Sequence, residues 1–315
     1  MKHLMTNLKL GKLLLSSSYI LKEVHKNIED DFSKLPFKDE ITLDFKKNTS
    51  YSEVFKKNFF TLLMLSILIE VKIPKERIVS YGKIIFLLRQ IVTSTDNIID
   101  NEEKGSIIFK SLENITVKNS FLSLICQDLL TKECLKISNG DANLSNLIFK
   151  ELYSIAFSES LRDSSLYENY PSSDYILNKI HNGIGGKLLE ISLVAPIFIE
   201  KNLLLDSYSL GLYEIGMSLQ ALDDLFDVQE DIDSSKINLA LSKFLEKNPD
   251  IKVNTFNKLD DNFSINFLEE VINSSFHGFS ILRDNGFPVS HSDAKQMLKK
   301  LFKLRGLGEY AKIIN

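Results

Sequence analysis

Apolar residues recur at spacings of three and four along almost the whole chain, and this feature constrains its fold more than any other. The spacing places apolar side chains on one face of an α-helix. Only 6 prolines and 13 glycines occur among the 315 residues, which favours long helices over a turn-rich sheet protein. The helices that we predict span about residues 8–30, 55–71, 77–99, 119–136, 144–160, 173–199, 206–230, 237–247, 264–284 and 292–303. The fold class is therefore predicted as all-α.

The organisation of the chain favours one domain. The sequence contains no internal repeat and no flexible linker, and a polar turn at residues 138–142 is the best candidate for a boundary. Hydrophobic residues make up 44% of the chain, and its 21 phenylalanines could fill a large core or line an apolar cavity. We therefore predict a single helical domain over residues 1–315.

Charge and cysteine content exclude several classes of protein. The net charge is −4 and no basic run of the kind that binds nucleic acid occurs, so we expect no nucleic-acid partner. Cys126 and Cys134, without a secretory signal, indicate reduced thiols of a cytoplasmic protein. Lys9 and Lys12 interrupt the apolar N-terminal segment, which is too short and too charged to span a membrane. An apolar substrate could still bring the protein to a membrane surface.

A first acidic cluster ends a strongly apolar helix. Asp96 and Asp100 are four residues apart and share one face of that helix. Carboxylates at this spacing repel each other unless a cation lies between them. Ile98 and Ile99 anchor the helix in the core on another face.

A second acidic cluster lies in another apolar helix. Asp223, Asp227 and Asp231 stand at positions i, i+4 and i+8, which predicts a row of carboxylates along one helix face. A solvated helix end explains one such pair, but two clusters within apolar helices favour metal binding. Mg²⁺ prefers oxygen ligands and completes its shell with water and substrate phosphate. We therefore expect the two clusters to face each other and to hold Mg²⁺ around a diphosphate.

These clusters resemble the two aspartate-rich motifs of the trans-polyprenyl diphosphate synthase family, within the class I isoprenoid synthase fold. Residues 220–227 read Gln-x-x-Asp-Asp-x-x-Asp and match the second motif of that family in full. Asp231 and Lys236 resemble the downstream Asp-x4-Lys segment of the family. Lys187 resembles the lysine with which the family contacts the allylic diphosphate. Phytoene and squalene synthases share the fold and have related acidic pairs.

The resemblance covers roughly residues 55–241 and implies a large helical bundle with a central cavity, a homodimer, and three Mg²⁺ ions in the substrate complex. The metal ligands that it implies are Asp96, Asp100, Asp223, Asp227 and Asp231. The substrate-binding residues that it implies are Lys56, Arg89, Lys104, Lys187, Gln220 and Lys236. The four outer aspartates of the motifs and Lys187 are the predicted catalytic residues.

Two departures from the family pattern concern the metal site and the second substrate. Asn97 stands where the family usually has an aspartate, and the outer carboxylates beside it carry most of the metal ligation in the family. The family binds isopentenyl diphosphate partly with a Gly-Lys-x-x-Arg-Pro segment. Here Lys56 is retained, but Phe59 and Phe60 replace the arginine and the proline. Loss of a guanidinium removes a bidentate ligand of the diphosphate.

Other cations could replace that arginine. Arg89 lies within an apolar run two helical turns before Asp96, at a position that resembles a histidine of the second-substrate site. Lys104 stands where the family has Arg-Arg-Gly, and it could equally be a surface charge. The segment from His181 to Lys187 contains three glycines, each of which costs a helix about 1 kcal/mol relative to alanine. They indicate a helix bend, a packing kink or a close approach to a ligand, and we expect His181 to pack rather than to catalyse.

The predicted reaction is Mg²⁺-dependent ionisation of an allylic all-trans prenyl diphosphate, followed by elongation with isopentenyl diphosphate. The alternative is a class I terpene synthase, in which the cation reacts with a double bond of the same substrate, and Phe59 and Phe60 favour it. Ile91 and Val92 stand upstream of the first motif, where the family uses bulky aromatics to stop chain growth early, and leave room for a long product. A non-catalytic subunit of a heteromeric prenyl synthase and a purely structural bundle are further alternatives.

Overall fold

The computed structural model describes residues 2–47, 51–304 and 310–314. Its thirteen α-helices are α1 (Lys2–Phe32), α2 (Tyr51–Glu70), α3 (Lys75–Ile99), α4 (Ile115–Ile137), α5 (Asn143–Ser160), α6 (Ser173–Tyr175), α7 (Leu188–Glu190), α8 (Val194–Glu200), α9 (Leu203–Phe226), α10 (Val228–Asp233), α11 (Leu239–Lys247), α12 (Asp261–Asp284) and α13 (His291–Leu304). A π-helix covers Ile176–Lys187, and the strands are β1 (Ile41–Leu43) and β2 (Ile107–Phe109). The structure is 77% helical, which confirms the all-α prediction.

Short 3₁₀ turns connect several of these elements. They span Lys38–Glu40, Asp44–Lys47, Ser164–Leu166, Ile191–Leu193, Val253–Thr255 and Tyr310–Lys312. The chain divides into two compact units, and one of the borders lies between Leu147 and Ile148. That the whole chain forms one domain around a central cavity stays a prediction.

One unit comprises Leu8–Leu147 and Ser192–Leu205. Helix α3 is its centre and packs against α2, α4 and α8. An apolar run in α3, residues 84–88, is buried because three helices surround it. Strands β1 and β2 pair antiparallel, with Ile41 opposite Phe109.

The other unit comprises Met1–Asn7, Ile148–Ile191 and Asp206–Asn315. It contains the π-helix, α9 from Asp206 to Phe226, and the helices that follow. Side chains that accept from backbone N–H groups cap two of these helices. Asn238 caps α11 and Asp260 caps α12, which satisfies donors that a helix start leaves unpaired.

The segment predicted as one helix at 173–199 is divided into α6, the π-helix, α7, a 3₁₀ turn and α8. Glycines explain how its π-helical part packs. A Cβ atom on Gly216 of α9 would lie 2.2 Å from the Gly185 carbonyl oxygen, so the two helix backbones touch. The glycines that the sequence singled out therefore accommodate a neighbouring helix.

By length and composition, one described helical stretch could cross a membrane. Ser173–Glu200 has an 18-residue window with a mean hydropathy of 1.3, and half of that window is buried inside the protein. The core helix of a soluble protein has the same length and composition, so the stretch is weak support for a membrane span.

Candidate active site

The first acidic cluster lies at the C-terminal end of α3, where Asp100 is the C-cap. Ile99 is 51% exposed, so the expectation that it anchors the helix in the core was wrong. Asp96 and Asp100 are both exposed, and the Asp100 N–H donates to the Asp96 carbonyl oxygen at 2.8 Å, so the helical turn continues between them. Asn97 points the other way and is only 2% exposed. Its Nδ2 donates to the Lys104 carbonyl oxygen at 2.7 Å, and its Oδ1 accepts from the Lys104 N–H at 3.0 Å. The amide that replaces the family's aspartate therefore holds the loop after α3.

Lys104 lies close to the first acidic cluster. Its ammonium pairs with Glu102, and the hydrogen bond to Glu102 together with the charges of Asp100 and Asp96 raises the pKa of Lys104. The side chain is exposed. It is thus a cation held beside two candidate metal ligands.

The second acidic cluster spans the junction of α9 and α10. Asp223 is half-buried in the last turns of α9, and Asp227 is exposed at the junction, where it precedes the first residue of α10. We expected one continuous helix to residue 230. That expectation was wrong at Asp227, whose backbone angles of −97° and 12° interrupt the helix between α9 and α10.

Asp224 lies beside these two residues but is buried, with 2% of its surface exposed. Its Oδ2 accepts from the Leu239 N–H at 2.6 Å and lies 2.9 Å from His181 Nε2. Its Oδ1 accepts from Gln220 Nε2 at 3.0 Å. Burial opposes the charge, but His181, Arg162 and the Leu239 N–H outweigh it and lower the pKa of Asp224. Asp224 is therefore an ionised anchor inside the protein, and Gln220 is bound to it.

Asp231 is also inside the protein, with 5% of its surface exposed. Its Oδ1 accepts from Arg162 Nη2 at 3.2 Å, and its Oδ2 accepts from Asn238 Nδ2 at 2.7 Å. Burial raises the pKa of Asp231 to about 6, although Arg162 and Asn238 oppose the shift. The predicted row of three carboxylates on one face is corrected accordingly: Asp227 is exposed, and Asp231 is buried against Arg162. Its role as a metal ligand stays a prediction.

Lys187 ends the π-helix and is half-buried. Its Nζ lies 2.7 Å from Glu151 Oε2 of α5, so a carboxylate holds the ammonium. His181 is 1% exposed, as the expectation of a packed histidine required. Lys236 is half-buried in the loop between α10 and α11, and its N–H donates to the Asp231 carbonyl oxygen at 2.6 Å.

Arg89, one of the residues predicted for the second substrate, lies near a kink in α2. Arg89 is exposed, and its Nη1 donates to the Lys57 carbonyl oxygen at 3.3 Å. Phe59, at the family's arginine position, is 3% exposed and belongs to the core. The side chain of Lys56 lies outside the described part of the chain. Asn58 has backbone angles of −129° and 23°, which bend α2 beside these residues.

The donor set suits a hard divalent cation. The four outer carboxylates of the two clusters offer oxygen ligands on exposed or half-exposed surfaces, which is the chemistry that Mg²⁺ requires. Within the described residues, no three His, Cys, Asp or Glu side chains lie close enough to hold a metal by themselves. Mg²⁺ usually completes its coordination shell with water and substrate oxygens. That the two clusters face each other stays a prediction.

Sequence reasoning missed three polar residues next to the second cluster. Arg162 and Asn238 bind Asp231, from which they stand 69 and 7 residues away, and the Tyr170 hydroxyl accepts from the Asn238 N–H, 68 residues away. Asn238 had one available signal, since an Asn before an apolar helical run is a common N-cap. Arg162 stands alone in its segment and offered none.

Solved structures of prenyl diphosphate synthases are similar to this chain. Heptaprenyl diphosphate synthase from Staphylococcus aureus matches with a TM-score of 0.58 and 15% identity, over 93% of this chain and 98% of that chain. A polyprenyl synthase from Caulobacter crescentus, complexed with calcium and isoprenyl diphosphate, matches with a TM-score of 0.57 and 12% identity, over 97% of each chain. Geranylgeranyl pyrophosphate synthetase from the archaeon Geoglobus acetivorans matches with a TM-score of 0.55 and 16% identity, over 94% of this chain and 98% of that chain.

The chain has the fold of the trans-polyprenyl diphosphate synthases. The resemblance that the aspartate motifs indicated is thereby confirmed at the level of the fold. No protein-family model and no curated protein matches the sequence. Because the synthase fold is shared at 12–17% identity, this chain is a divergent example of it. The fold alone does not define a reaction, which has to be argued from the site.

Proposed function

We propose that this protein ionises an allylic all-trans prenyl diphosphate in a Mg²⁺-dependent reaction and elongates it with isopentenyl diphosphate. One observation supports this most directly. In a chain with the synthase fold, the second motif separates into the accessible acids Asp223 and Asp227 and the buried, ionised anchor Asp224. A row of acids that served only solubility would not require a buried member with three hydrogen-bond partners.

The side chains have separate roles in this proposal. Asp96 and Asp100, with Asp223 and Asp227, bind up to three Mg²⁺ ions, which supply Lewis-acid stabilisation of the leaving diphosphate when bound. Lys187 and Lys236 bind its remaining negative charge, so the C–O bond breaks to give an allylic cation.

Two further cations serve the second substrate. Arg89 and Lys104 bind the isopentenyl diphosphate, together with Lys56. The apolar core excludes water, so that the cation reacts with the isopentenyl double bond. A proton then leaves the adduct and the chain is longer by one isoprene unit.

Product analysis tests the reaction. Purified protein is incubated with Mg²⁺ and geranyl, farnesyl or geranylgeranyl diphosphate, with and without isopentenyl diphosphate. The proposal requires longer linear diphosphates that appear only when isopentenyl diphosphate is present. Activity that appears only after a partner chain is added would instead indicate a subunit of a heteromeric synthase.

Asp223→Ala tests the metal ligands. We expect it to reduce turnover by a factor of about 100 or more, because it removes one oxygen ligand from a metal that stabilises the leaving group. Asp233→Ala is the matched control, since Asp233 is an exposed aspartate of α10 that binds only Gln229 among the bonds described. Equal turnover of both variants and the wild type would refute the proposal.

A terpene synthase is the second candidate, and the position of Phe59 favours it. Phe59 stands where the family has the arginine that binds the second substrate, so this position carries no cation. The Phe59 side chain is instead buried in the core. In a terpene synthase, the allylic cation would react with a double bond of the same substrate molecule. Release of diphosphate with a hydrocarbon or alcohol product, unaffected by isopentenyl diphosphate, would identify this function.

A homodimer is part of the proposal, and α4 offers the surface that supports it. Val117, Phe121 and Leu124 are exposed at positions i, i+4 and i+7, which form one apolar stripe. Leu124→Glu is expected to shift the protein towards monomer in analytical ultracentrifugation. Leu203→Glu, which changes another exposed leucine, is expected to leave the sedimentation unchanged.

We also propose a cytoplasmic location with contact to anionic membranes through α1. Its outward face combines apolar side chains with lysines: Leu8, Lys12, Leu15, Tyr19, Lys22 and Lys26. Such a face suits the interface of an anionic bilayer. Co-sedimentation with phosphatidylserine vesicles at low salt, but not with neutral vesicles, is the expected result. Equal recovery with both kinds of vesicle would contradict it.

A further inference from the structure

The loop between α10 and α11 carries Lys236 and is fixed by backbone hydrogen bonds. The Lys236 N–H donates to the carbonyl oxygen of Asp231, a residue of α10, at 2.6 Å. The Ile237 N–H donates to the Arg162 carbonyl oxygen at 2.6 Å. The loop is therefore attached on one side to the helix that follows the second aspartate motif and on the other to the chain near residue 162.

Asn238 ends this loop and is fully buried, with 0% of its surface exposed. Its Nδ2 donates both to the Asp224 carbonyl oxygen and to Asp231 Oδ2, each at 2.7 Å. Its Oδ1 accepts from the Leu241 N–H at 3.0 Å and caps α11, while its own N–H donates to the Tyr170 hydroxyl at 2.7 Å. Both hydrogens of the side-chain amide and its oxygen are thus engaged.

The Asn238 amide therefore joins three structures. It binds α9 through the Asp224 carbonyl and α10 through the Asp231 carboxylate, and its own backbone belongs to the loop that carries Lys236. Asp224 is the immediate neighbour of Asp223, so a movement of Asn238 relative to that carbonyl would change the distance between Asp223 and Lys236. We propose that Asn238 is a positioning residue, which fixes Lys236 relative to the accessible aspartates of the second motif. The inference rests on the proposed function, in which Lys236 binds diphosphate.

Aspartate or serine at position 238 could not make both of the hydrogen bonds that the Asn238 amide donates. Aspartate has the same shape and remains a good N-cap, but it has no hydrogens to donate to the Asp224 carbonyl. It also places a second carboxylate beside Asp231. Serine preserves a cap for α11 without a charge, but it cannot donate two hydrogen bonds. Asn238→Asp and Asn238→Ser therefore remove the bridge and keep the cap.

The test measures binding of inorganic pyrophosphate in the presence of Mg²⁺ by calorimetry. Lys236→Ala is expected to weaken binding about tenfold or more, the effect of losing a hydrogen bond to a charged group. Asn238→Asp and Asn238→Ser are expected to weaken it by a similar factor. In the Lys236→Ala background, the same Asn238 substitutions should have no further effect, because the bridge acts through Lys236.

Asn114→Ser is the matched control, because Asn114 caps α4 by accepting from the Val117 N–H at 3.0 Å. Because serine also caps a helix, this variant should leave both stability and pyrophosphate binding close to those of the wild type. The inference fails if Asn238→Ser binds pyrophosphate like the wild type, or if its effect is as large with Lys236→Ala as without it. If the wild-type protein binds no pyrophosphate with Mg²⁺, the proposed function fails and the inference fails with it. Weakened binding after Lys236→Ala but not after Asn238→Ser refutes the inference alone.

Discussion

His181 of the π-helix and Asp224 of α9 form a buried pair, in which His181 Nε2 lies 2.9 Å from Asp224 Oδ2. The two side chains are 1% and 2% exposed, so the pair is held away from water. A carboxylate in such a place requires compensation of its charge, and His181 supplies part of it together with the Leu239 N–H. The pair ties two helices together directly beneath the accessible Asp223.

Removal of one partner should be costly for this reason. His181→Leu leaves the Asp224 carboxylate buried without its main partner, and we expect it to lower the free energy of unfolding by about 3 to 5 kcal/mol. Urea denaturation at neutral pH measures the change. The double variant His181→Leu, Asp224→Leu should lose less than the two single variants combined, and simple additivity would contradict the pairing.

A buried cluster of charges stabilises the unit around α3. Lys83 is 6% exposed, and its Nζ lies 2.6 Å both from Asp31 Oδ2 of α1 and from Glu133 Oε2 of α4. Lys83→Met removes the cation between two carboxylates and should cost about 3 to 5 kcal/mol in urea denaturation. Lys132→Met is the control, since Lys132 pairs with Asp128 on the surface of α4 and should cost less than about 0.5 kcal/mol. Equal losses would show that burial of the cluster does not matter.

Glycine substitutions should separate two environments. In Gly216→Ala the new Cβ would overlap the Gly185 carbonyl oxygen, because a backbone atom occupies that space. We expect Gly216→Ala to lower the free energy of unfolding by at least about 2 kcal/mol or to prevent folding. Gly11→Ala, in α1 with nothing within 4 Å of the new Cβ, should instead stabilise the protein by about 0.5 to 1 kcal/mol. Thermal melts of both variants compare them, and a stable Gly216→Ala protein would disprove the helix contact.

The raised pKa of Asp231 gives a dependence of stability on pH. Burial raises this pKa to about 6, whereas an aspartate in the unfolded chain titrates near about 4. Between these values the folded protein binds more protons, so the contribution of Asp231 to stability falls as the pH rises from 4 to 6. The free energy of unfolding of Asp231→Asn, measured relative to that of the wild type, should therefore rise by about 2 kcal/mol between pH 4.5 and pH 7.5.

Asp233→Asn is the comparison for this measurement, because Asp233 is exposed on the same helix. Its stability relative to the wild type should be the same at both pH values. Urea denaturation across the pH range gives both numbers. A constant difference between Asp231→Asn and the wild type would mean that the Asp231 carboxylate is ionised in the folded protein throughout.

The helices could be predicted from the sequence because their signal is local. The run predicted at 77–99 appears as Lys75–Ile99, and the run at 144–160 appears as Asn143–Ser160. Apolar spacing within one segment determines both, since each helix buries the same face along its length. The π-helix was not predicted, because apolar spacing does not distinguish π-helical from α-helical turns over a short segment.

The candidate site could be predicted only as far as residue type and spacing reach. Asp96, Asp100, Asp223 and Asp227 all have accessible surfaces, as ligands require. Asp231 follows the same spacing of four but lies inside the protein. Its burial follows from Arg162, which is 69 residues away and joins it through the tertiary fold. Periodicity identifies a helix face but not the side chains that cover it.

The touching backbones at Gly185 and Gly216 have a consequence for where Lys187 can lie. A slide of the π-helix by one residue along α9 would put Ile184 or Gly186 at the place of Gly185, and the Ile184 side chain has no room there. The contact between Gly185 and Gly216 thus fixes the position of Lys187 along the axis of α9. It thereby also fixes the distance between Lys187 and Asp223. This backbone contact therefore fixes the position of the lysine relative to the acid.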